Sequence, residues 1–478
     1  MKKNFSANLV FLIALNLLIK PIYVFGIEVG IQNAVGTSDY GLYYAMFNFT
    51  FLFNVFLDMG INNFQKIKVA EHAESGIANM STLIPLKLIL AGVYMIVTVI
   101  AAWIIGFEGR YWYFIAWIML NHVLSAFLLL LRANLSGLQL FLKDSLVSVV
   151  DRLVLVAGIG CILWFGNQSF QIEWFVIFQA ASYVIGIAVA LFFTPKANRF
   201  PKIDFSLKNG QAMIIQTWPY ALLILLMTAY NKLDGIMIER LAVDGLKEAG
   251  IYAQAYRIID AGNSFAFLYA GMLLPIFAKL LSQSNRDQIG LLVDQGARYL
   301  IYPAGLAVVV VYFNSEACMS ILYDQEAAAS AISFRWLMGS FLFICVGYVF
   351  GTLLTAANKL GLLNWISAGA VLVNFILNLM LIPSMGAEGA AIASFSSLLV
   401  MALTQLFFAS SVTNKSHLDW LIRALPGWFI MIVVTYFISN ADLGEMNKLL
   451  VSCALALALL MSLAWKKSDM KTMLPSNT

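Results

Sequence analysis

Four basic residues lie deep inside apolar stretches that are long enough to cross a membrane. A Lys or Arg in mid-membrane costs about 2.5 to 3.5 kcal/mol, so such residues usually face a water-filled cavity or a partner of opposite charge. They could bind a phosphate group, since Arg makes bidentate charge-assisted hydrogen bonds and Lys acts as a point charge. The candidate anion-binding residues are Lys20, Lys232, Arg257 and Arg298.

Acidic residues near the same positions could pair with these cations or bind a coupling ion. Asp260 follows Arg257 by three positions, and residues one helical turn apart lie side by side. Asp234 comes two positions after Lys232, and Glu28 lies on the outer part of the first apolar stretch. We predict Asp234, Asp260 and Glu28 as charge partners or ion-coupling residues.

Each cation also has a structural interpretation, and these alternatives stay open. Lys20 could extend its ammonium group toward the lipid head groups. Lys232 could do the same, or it could be neutralised by Asp234 or Glu239. Arg257 could pair with Asp260 within one helix. Arg298 could bind carbonyl groups that are freed at a helix break.

Aromatic residues near the charged positions could stack on sugar rings. The chain is 14% aromatic, and most of these residues are expected in the belts at the membrane interfaces and on the lipid-facing surface. The candidates for sugar stacking are Tyr252, Tyr256, Tyr299 and Trp336.

The composition of the chain is that of a membrane protein. Of its 478 residues, 61% are hydrophobic and 11% are charged, against roughly 25% charged residues in ordinary soluble domains. A helix crosses the hydrocarbon layer with about 20 apolar residues, and that window predicts about fourteen spans. They lie near residues 9–34, 40–63, 80–106, 111–133, 146–167, 172–194, 212–241, 249–279, 289–313, 332–357, 361–383, 387–412, 419–439 and 446–465.

The basic residues between the spans predict the orientation of the chain. Lys and Arg are concentrated in one alternate set of connections, and positively charged loops are retained in the cytoplasm. We therefore expect both termini on the cytoplasmic side of the membrane. This sidedness accounts for the net charge of +4, so the charge indicates no nucleic-acid partner.

The sequence predicts no catalytic residue, no metal site and no cofactor. It has no phosphate-binding Gly-x-x-x-x-Gly-Lys-Ser/Thr loop, its four cysteines form no Cys-x-x-Cys pair, and its three histidines are scattered. His122 lies in mid-span and could carry a coupling proton, but a hydrogen-bonded packing role is the stronger interpretation. If the chain is a transporter, the absence of a phosphate-binding loop predicts that an H⁺ or Na⁺ gradient drives it.

An internal repeat divides the chain. The segment "DYGLY" at 39–43 matches "EAGIY" at 248–252, and "ANLSGL" at 133–138 matches "ANKLGL" at 357–362. Copies that are six spans apart share one orientation, which is a known plan for transporters. We predict an all-α polytopic membrane protein with two pseudo-symmetric six-helix lobes and two further helices, bounded at 1–195, 196–415 and 416–478.

This pattern resembles the polysaccharide flippases, including those for O-antigen, of the multidrug/oligosaccharidyl-lipid/polysaccharide exporter superfamily. The resemblance lies in the plan of six, six and two spans, in "KLDGIMIERL" at 232–241 and in "LIPSMGAEGAAIAS" at 381–394. It implies a protein of the bacterial inner membrane, with a cavity between two lobes and alternating access. The implied partners are an undecaprenyl-pyrophosphate-linked oligosaccharide, membrane lipids and other polysaccharide-assembly proteins.

Two other functions stay open at this point. An exporter of drugs or small solutes in the same superfamily would favour acids in its cavity, whereas this interior also carries Lys and Arg. A membrane polymerase or ligase of lipid-linked glycans would need a large outer loop, and the longest outer loop, near 314–331, has few candidate catalytic residues.

Overall fold

A computed structural model describes the parts of the chain in which the predicted spans lie. Every regular element in those parts is a helix, and nine of the described helices are long and apolar enough to cross a membrane. The prediction of an all-helical polytopic membrane protein is confirmed, whereas the count of fourteen spans and the division into lobes stay predictions. The described residues are 19, 21–59, 61–62, 73–166, 170–195, 207–283, 285–413 and 419–464.

The described residues form two compact units. The first unit comprises those within Met1–Gln254 and Phe375–Ala390, and the second comprises those within Ala255–Asn374 and Ala391–Thr478. The helices that begin in the first unit are α1 (Ile22–Glu28), α2 (Val29–Leu52), α3 (Val55–Asp58), α4 (Ala73–Ile105), α5 (Arg110–Gly137), α6 (Phe141–Phe165), α7 (Ile172–Phe193), α8 (Leu207–Leu241) and α9 (Gly245–Ser282).

The remaining helices begin in the second unit and correspond to predicted spans nine to fourteen, and part of one of them, Phe375–Ala390, belongs to the first unit. Two elements, α1 and α11, are π-helical. The helices that begin in the second unit are α10 (Arg286–Gly296), α11 (Ala297–Ile301), α12 (Tyr302–Leu322), α13 (Ala327–Ala356), α14 (Leu360–Thr413), α15 (Asp419–Ser439) and α16 (Glu445–Ala464).

Two helical elements are each divided by a glycine with positive φ. Gly36 in α2 has φ 80° and ψ 173°, and Gly386 in α14 has φ 55° and ψ −128°. Both conformations favour a residue without a Cβ. After Gly386 the next helical segment begins at Ala387, whose N–H donates to the Glu248 carboxylate at 2.8 Å. A carboxylate at a helix N-terminus is stabilising, so Glu248 of α9 caps this segment within the first unit.

The helix that follows Gly36 is also interrupted at its other end. It stops at Leu52, resumes as α3 and ends at Met59, which has φ 42°. Inside a membrane, carbonyl groups freed by such a break need new donors. Lys87 of α4 supplies one, since its ammonium donates to the Leu57 carbonyl at 2.7 Å and to the Asp58 carboxylate at 3.0 Å.

Gly41 of α2 and Gly250 of α9, which correspond in the first sequence match, lie where the two helices touch. A Cβ on Gly41 would overlap the carbonyl oxygen of Leu246 and lie 2.8 Å from the Gly250 nitrogen. A Cβ on Gly250 would overlap the carbonyl oxygen of Thr37. The absence of side chains at both glycines therefore allows α2 and α9 to cross backbone against backbone.

The second sequence match is out of register. Helix α5 ends at Gly137, and the following Gln139 has φ 59°. Helix α13 ends at Ala356, and Asn358 has φ 57°. These two turns correspond, whereas the sequence match pairs Gly137 with Gly361, which lies in the next helix. The alignment of this second match is therefore wrong. The segment 133–138 precedes its turn, whereas most of the similar segment 357–362 follows the corresponding turn.

Candidate functional site

Lys232 lies against two aromatic rings of the first unit. Its Nζ is 5.5 Å from the ring centroid of Phe47 and 5.5 Å from that of Phe51. The two phenylalanines are four residues apart on α2, and their ring centroids are 5.6 Å apart. All three side chains are half-buried. A cation within about 6 Å of a ring centroid is attracted by the ring quadrupole, so both rings stabilise the charged form of Lys232.

His122 supports the same two rings from α5. Its ring meets Phe47 and Phe51 edge-on, with centroids 5.3 and 5.4 Å away. The Tyr94 hydroxyl lies 3.0 Å from His122 Nδ1 and donates to the Thr50 carbonyl at 3.3 Å. The direction of the hydrogen bond between Tyr94 and His122 depends on the tautomer of the imidazole. The imidazole is buried, and this geometry is that of a hydrogen-bonded packing histidine.

Asp234 is buried on a different side of α8 from Lys232. Positions two residues apart on a helix do not face each other, and the Asp234 carboxylate accepts hydrogen bonds from the Tyr252 hydroxyl and from Asn378 Nδ2, each at 2.7 Å. Asp234 is 2% exposed and Tyr252 is 1% exposed. Tyr252, which the sequence predicts as a sugar-stacking residue, is thus a buried hydrogen-bond donor in this conformation.

Asn48 adds an amide group beside Asp234. The residue after Asp234 is Gly235, and a Cβ there would lie 3.2 Å from Asn48 Cγ and 2.9 Å from the Tyr44 ring. Asn48 is fully buried, and within the described residues neither polar atom of its amide has a hydrogen-bond partner. A buried carboxylate, two amides and a phenol hydroxyl therefore lie on α2, α8, α9 and α14 in the first unit.

The other predicted cations lie in the second unit or outside the described residues. Arg257 and Asp260 are half-buried on α9, as is Tyr256. The guanidinium carbon of Arg298 is 5.9 Å from the centroid of the Tyr299 ring. Lys20 lies outside the described residues.

The other candidates differ in exposure. Tyr299 is 49% exposed and Trp336 is 36% exposed, and the Trp336 ring packs edge-on against Phe395. Glu28 is buried at the end of the π-helical α1, and Arg298 lies in the π-helical α11. Single π-helical turns are frequent at functional sites. The local helix geometry therefore gives a second reason to select Glu28 and Arg298, which were chosen by charge alone.

Lys87 is a buried cation that the sequence reasoning missed. It is 1% exposed and pairs with Asp58, yet it lies in the predicted span 80–106. The rule that selected the other cations applies equally to it. Lys87 lies in the third predicted span of the first half, and Arg298 lies in the third predicted span of the second half. The internal repeat was therefore a second reason to select Lys87 as a candidate.

Ionic contacts join helices of the first unit at their predicted outer ends. Arg110 of α5 contacts Glu173 of α7 at 2.6 Å and also pairs with Asp39 of α2. These side chains are largely exposed, so each pair contributes little to stability. The Arg110 group therefore serves mainly to align three helix ends.

A second contact joins α8 to α5 at the same end. The Tyr111 hydroxyl donates to Glu239 at 2.8 Å, and the Arg240 guanidinium carbon lies 4.0 Å from the Phe107 ring centroid. Glu239 and Arg240 close the segment that begins with Lys232, so this contact fixes the outer end of the helix that carries the cation.

Comparisons with known proteins agree with this architecture. The chain is 26% identical over 179 residues to the probable low-salt glycan biosynthesis flippase Agl15 of Haloferax volcanii, a match that covers 36% of this chain and 37% of that protein. It is 23% identical over 257 residues to stage V sporulation protein B of Bacillus subtilis, covering 49% and 47% of the two chains. The chain spans less than half the length of the curated relatives that it matches.

The fold is similar to that of a solved flippase. The structure of the lipid II flippase MurJ in an inward closed conformation covers 95% of this chain with a TM-score of 0.74, and 98% of that chain is matched at 12% identity. The relatives whose names state an activity are flippases or multidrug transporters.

A model of the family described as polysaccharide biosynthesis proteins matches residues 6–281. The superfamily resemblance seen in the sequence is thereby confirmed. Because this match covers more than half of the chain, the protein belongs to the polysaccharide biosynthesis protein family.

Proposed function

We propose that the protein is a flippase that moves an undecaprenyl-pyrophosphate-linked oligosaccharide, such as an O-antigen unit, from the cytoplasmic to the periplasmic leaflet of a bacterial inner membrane. The observation that carries the proposal is Lys232, a half-buried cation inside a predicted span whose charge is stabilised by two aromatic rings. Family membership and the fold similarity to a lipid II flippase support it.

In this proposal the basic side chains hold the diphosphate and the polyprenyl tail stays in lipid. Each phosphate oxygen can accept a charge-assisted hydrogen bond, which is stronger than a bond between neutral groups. Lys232 and Arg257 are the primary binding residues, with Lys20 and Arg298 as further cations along the route. Transport occurs as the predicted lobes expose the bound head group to one side and then to the other.

Asp234 is the proposed site of ion coupling. Its carboxylate is buried with Tyr252 and Asn378, so uptake of H⁺ or Na⁺ would change the net charge inside the unit. Asp234 lies two residues from Lys232 on one helix. A change of charge there alters the electrostatic attraction of Lys232 for a diphosphate, because fields are weakly screened at low dielectric.

An exporter of cationic drugs is the second candidate function within the superfamily. Such a substrate is repelled by Lys232 in its present setting, whereas a diphosphate is attracted. The sign of the charge at this position therefore favours an anionic head group.

The proposal is tested by replacing Lys232 and Arg257 together by Ala in cells that lack the original copy. Loss of two charge-assisted contacts, each worth about 1.4 kcal/mol, should lower export about a hundredfold, with lipid-linked oligosaccharide accumulating in the cytoplasmic leaflet. Lys279→Ala, at an exposed helix end, is the matched control. Export at the wild-type level, with expression matched, would show that the proposed site is wrong.

A further inference from the structure

We propose that Phe47 and Phe51 are positioning residues for substrate recognition, because they hold the Lys232 ammonium group in place while leaving its positive charge intact. This inference rests on the proposed binding of a diphosphate by Lys232. It assigns the function of presenting that cation to an aromatic pair on α2, a helix on which the sequence reasoning placed no candidate.

The geometry of the pair suits one shared cation. The Lys232 Nζ is equidistant from the two ring centroids, at 5.5 Å, and the planes of the rings differ by 30°. Both rings therefore present their faces to the same side of α2. A spacing of four residues places two side chains on one face of a helix, so the helix itself sets this arrangement.

An aromatic pair differs from a carboxylate in its effect on the cation. A neighbouring carboxylate cancels the charge of Lys232, and the net attraction for a diphosphate then falls. A ring quadrupole stabilises the cation but carries no net charge. The aromatic pair thus offsets part of the cost of placing an ammonium group inside the membrane without adding a negative charge beside it.

The rings are held from behind by side chains of two further helices. His122 of α5 meets both rings edge-on, at interplanar angles of 73° and 85°. Tyr94 of α4 links His122 to the backbone of Thr50, which precedes Phe51 in the chain. Three helices therefore fix the ring positions, and a preorganised site loses less entropy on binding.

The exposure of the group fits a binding surface. Lys232, Phe47 and Phe51 are half-buried, whereas His122 and Tyr94 behind them are buried. The accessible side of the group thus carries the cation and the rings, and its covered side carries the hydrogen bonds that position them.

The test uses fluorinated phenylalanines at position 51, which weaken the ring quadrupole stepwise at nearly constant size. The probe is farnesyl diphosphate, and the measurement is its dissociation constant for the full-length protein in nanodiscs. We expect the dissociation constant to rise with each added fluorine and to be about tenfold higher for the trifluorinated ring, which corresponds to about 1.4 kcal/mol. The same series at Phe53, which packs edge-on against Phe49, should leave the constant unchanged.

Conventional variants separate an aromatic requirement from packing. Phe51→Leu should weaken probe binding about tenfold or more, and Phe51→Trp should restore it, because indole is the strongest aromatic partner for a cation. Equal binding by the Leu and Trp variants would overturn the inference.

The Lys232→Ala background distinguishes failure of this inference from failure of the proposed function. If Lys232→Ala binds the probe as tightly as the wild type, the proposed diphosphate site itself is wrong. If Lys232→Ala weakens binding and the fluorine series at position 51 has no effect, only the role of the rings is wrong. The inference predicts that the fluorine series has an effect with Lys232 present and none with Ala in its place.

Discussion

Replacing Lys87 by Met should lower the free energy of unfolding by about 3 kcal/mol. The ammonium group is 1% exposed and donates to the Leu57 carbonyl at 2.7 Å and to the Asp58 carboxylate at 3.0 Å. Removing one partner of a buried ion pair costs about 3 to 5 kcal/mol. The lower end applies here because the Asp58 side chain is 32% exposed, so solvent stabilises part of the charge that is left.

A double-mutant cycle isolates the ion pair from the packing of the methylene groups. Asp58→Asn should cost about 2 kcal/mol, because it leaves the buried Lys87 charge without its counter-ion. The double variant removes both charges. Its loss should be smaller than the sum of the single losses by about 1 to 2 kcal/mol, within the range measured for residues in contact.

The assay is SDS titration of the purified protein in mixed micelles, followed by tryptophan fluorescence. Lys279→Met, at an exposed position of α9, is the matched control and should change the free energy of unfolding by less than about 0.5 kcal/mol. Additive effects of Lys87→Met and Asp58→Asn would refute the reasoning, since two side chains that do not interact would have independent costs.

Three further predictions address the helix crossing, the coupling ion and the orientation. Gly41→Ala should lower the free energy of unfolding by about 1 to 3 kcal/mol, because its Cβ would overlap a backbone carbonyl. The control, Gly92→Ala, should be neutral, because a Cβ there would have no atom within 4 Å. Equal stability of the two variants would contradict a close crossing. Asp234→Asn should make export independent of the Na⁺ and H⁺ gradients, and a retained dependence in transport assays would place coupling elsewhere. In a cysteine-free background, Ser38→Cys should react with an impermeant maleimide from the periplasm and Lys359→Cys should not, and the reverse labelling would overturn the orientation.

The sequence was sufficient to predict the helices, and it selected two residues of the candidate site. Long apolar stretches predict spanning helices because an unpaired backbone is costly in lipid. The same cost argument selected Lys232 and Asp234, and the structure places both among specific partners. The cost argument depends on the energy of a residue in hydrocarbon and not on its neighbours, and the functional roles of Lys232 and Asp234 stay predictions.

The partners of those residues could not be read from the sequence. In a soluble helix the apolar face marks the core, but lipid is as apolar as a protein interior, so all faces of a span have similar composition. Phe47 and Phe51 contact Lys232, whereas Phe265 and Phe267 are exposed, and nothing in their local sequence separates the two pairs. The aromatic pair was therefore beyond prediction from one sequence.

Lys87 is a different kind of omission. It is a charged residue within a predicted span, so the argument from cost applied to it without any structural information. Its role could not be predicted, because α3 ends at Met59 in a left-handed conformation, which a residue of this type seldom adopts. The break that exposes the Leu57 carbonyl depends on tertiary packing.

The central claim is that buried cations receive the diphosphate of a lipid-linked glycan. It is tested most directly by an experimental structure of the full-length protein with a polyprenyl-diphosphate-linked oligosaccharide bound. The account predicts a diphosphate within hydrogen-bond distance of Lys232, with the Phe47 and Phe51 rings still against its ammonium group. A head group bound away from Lys232, with that side chain covered by protein contacts, would contradict it.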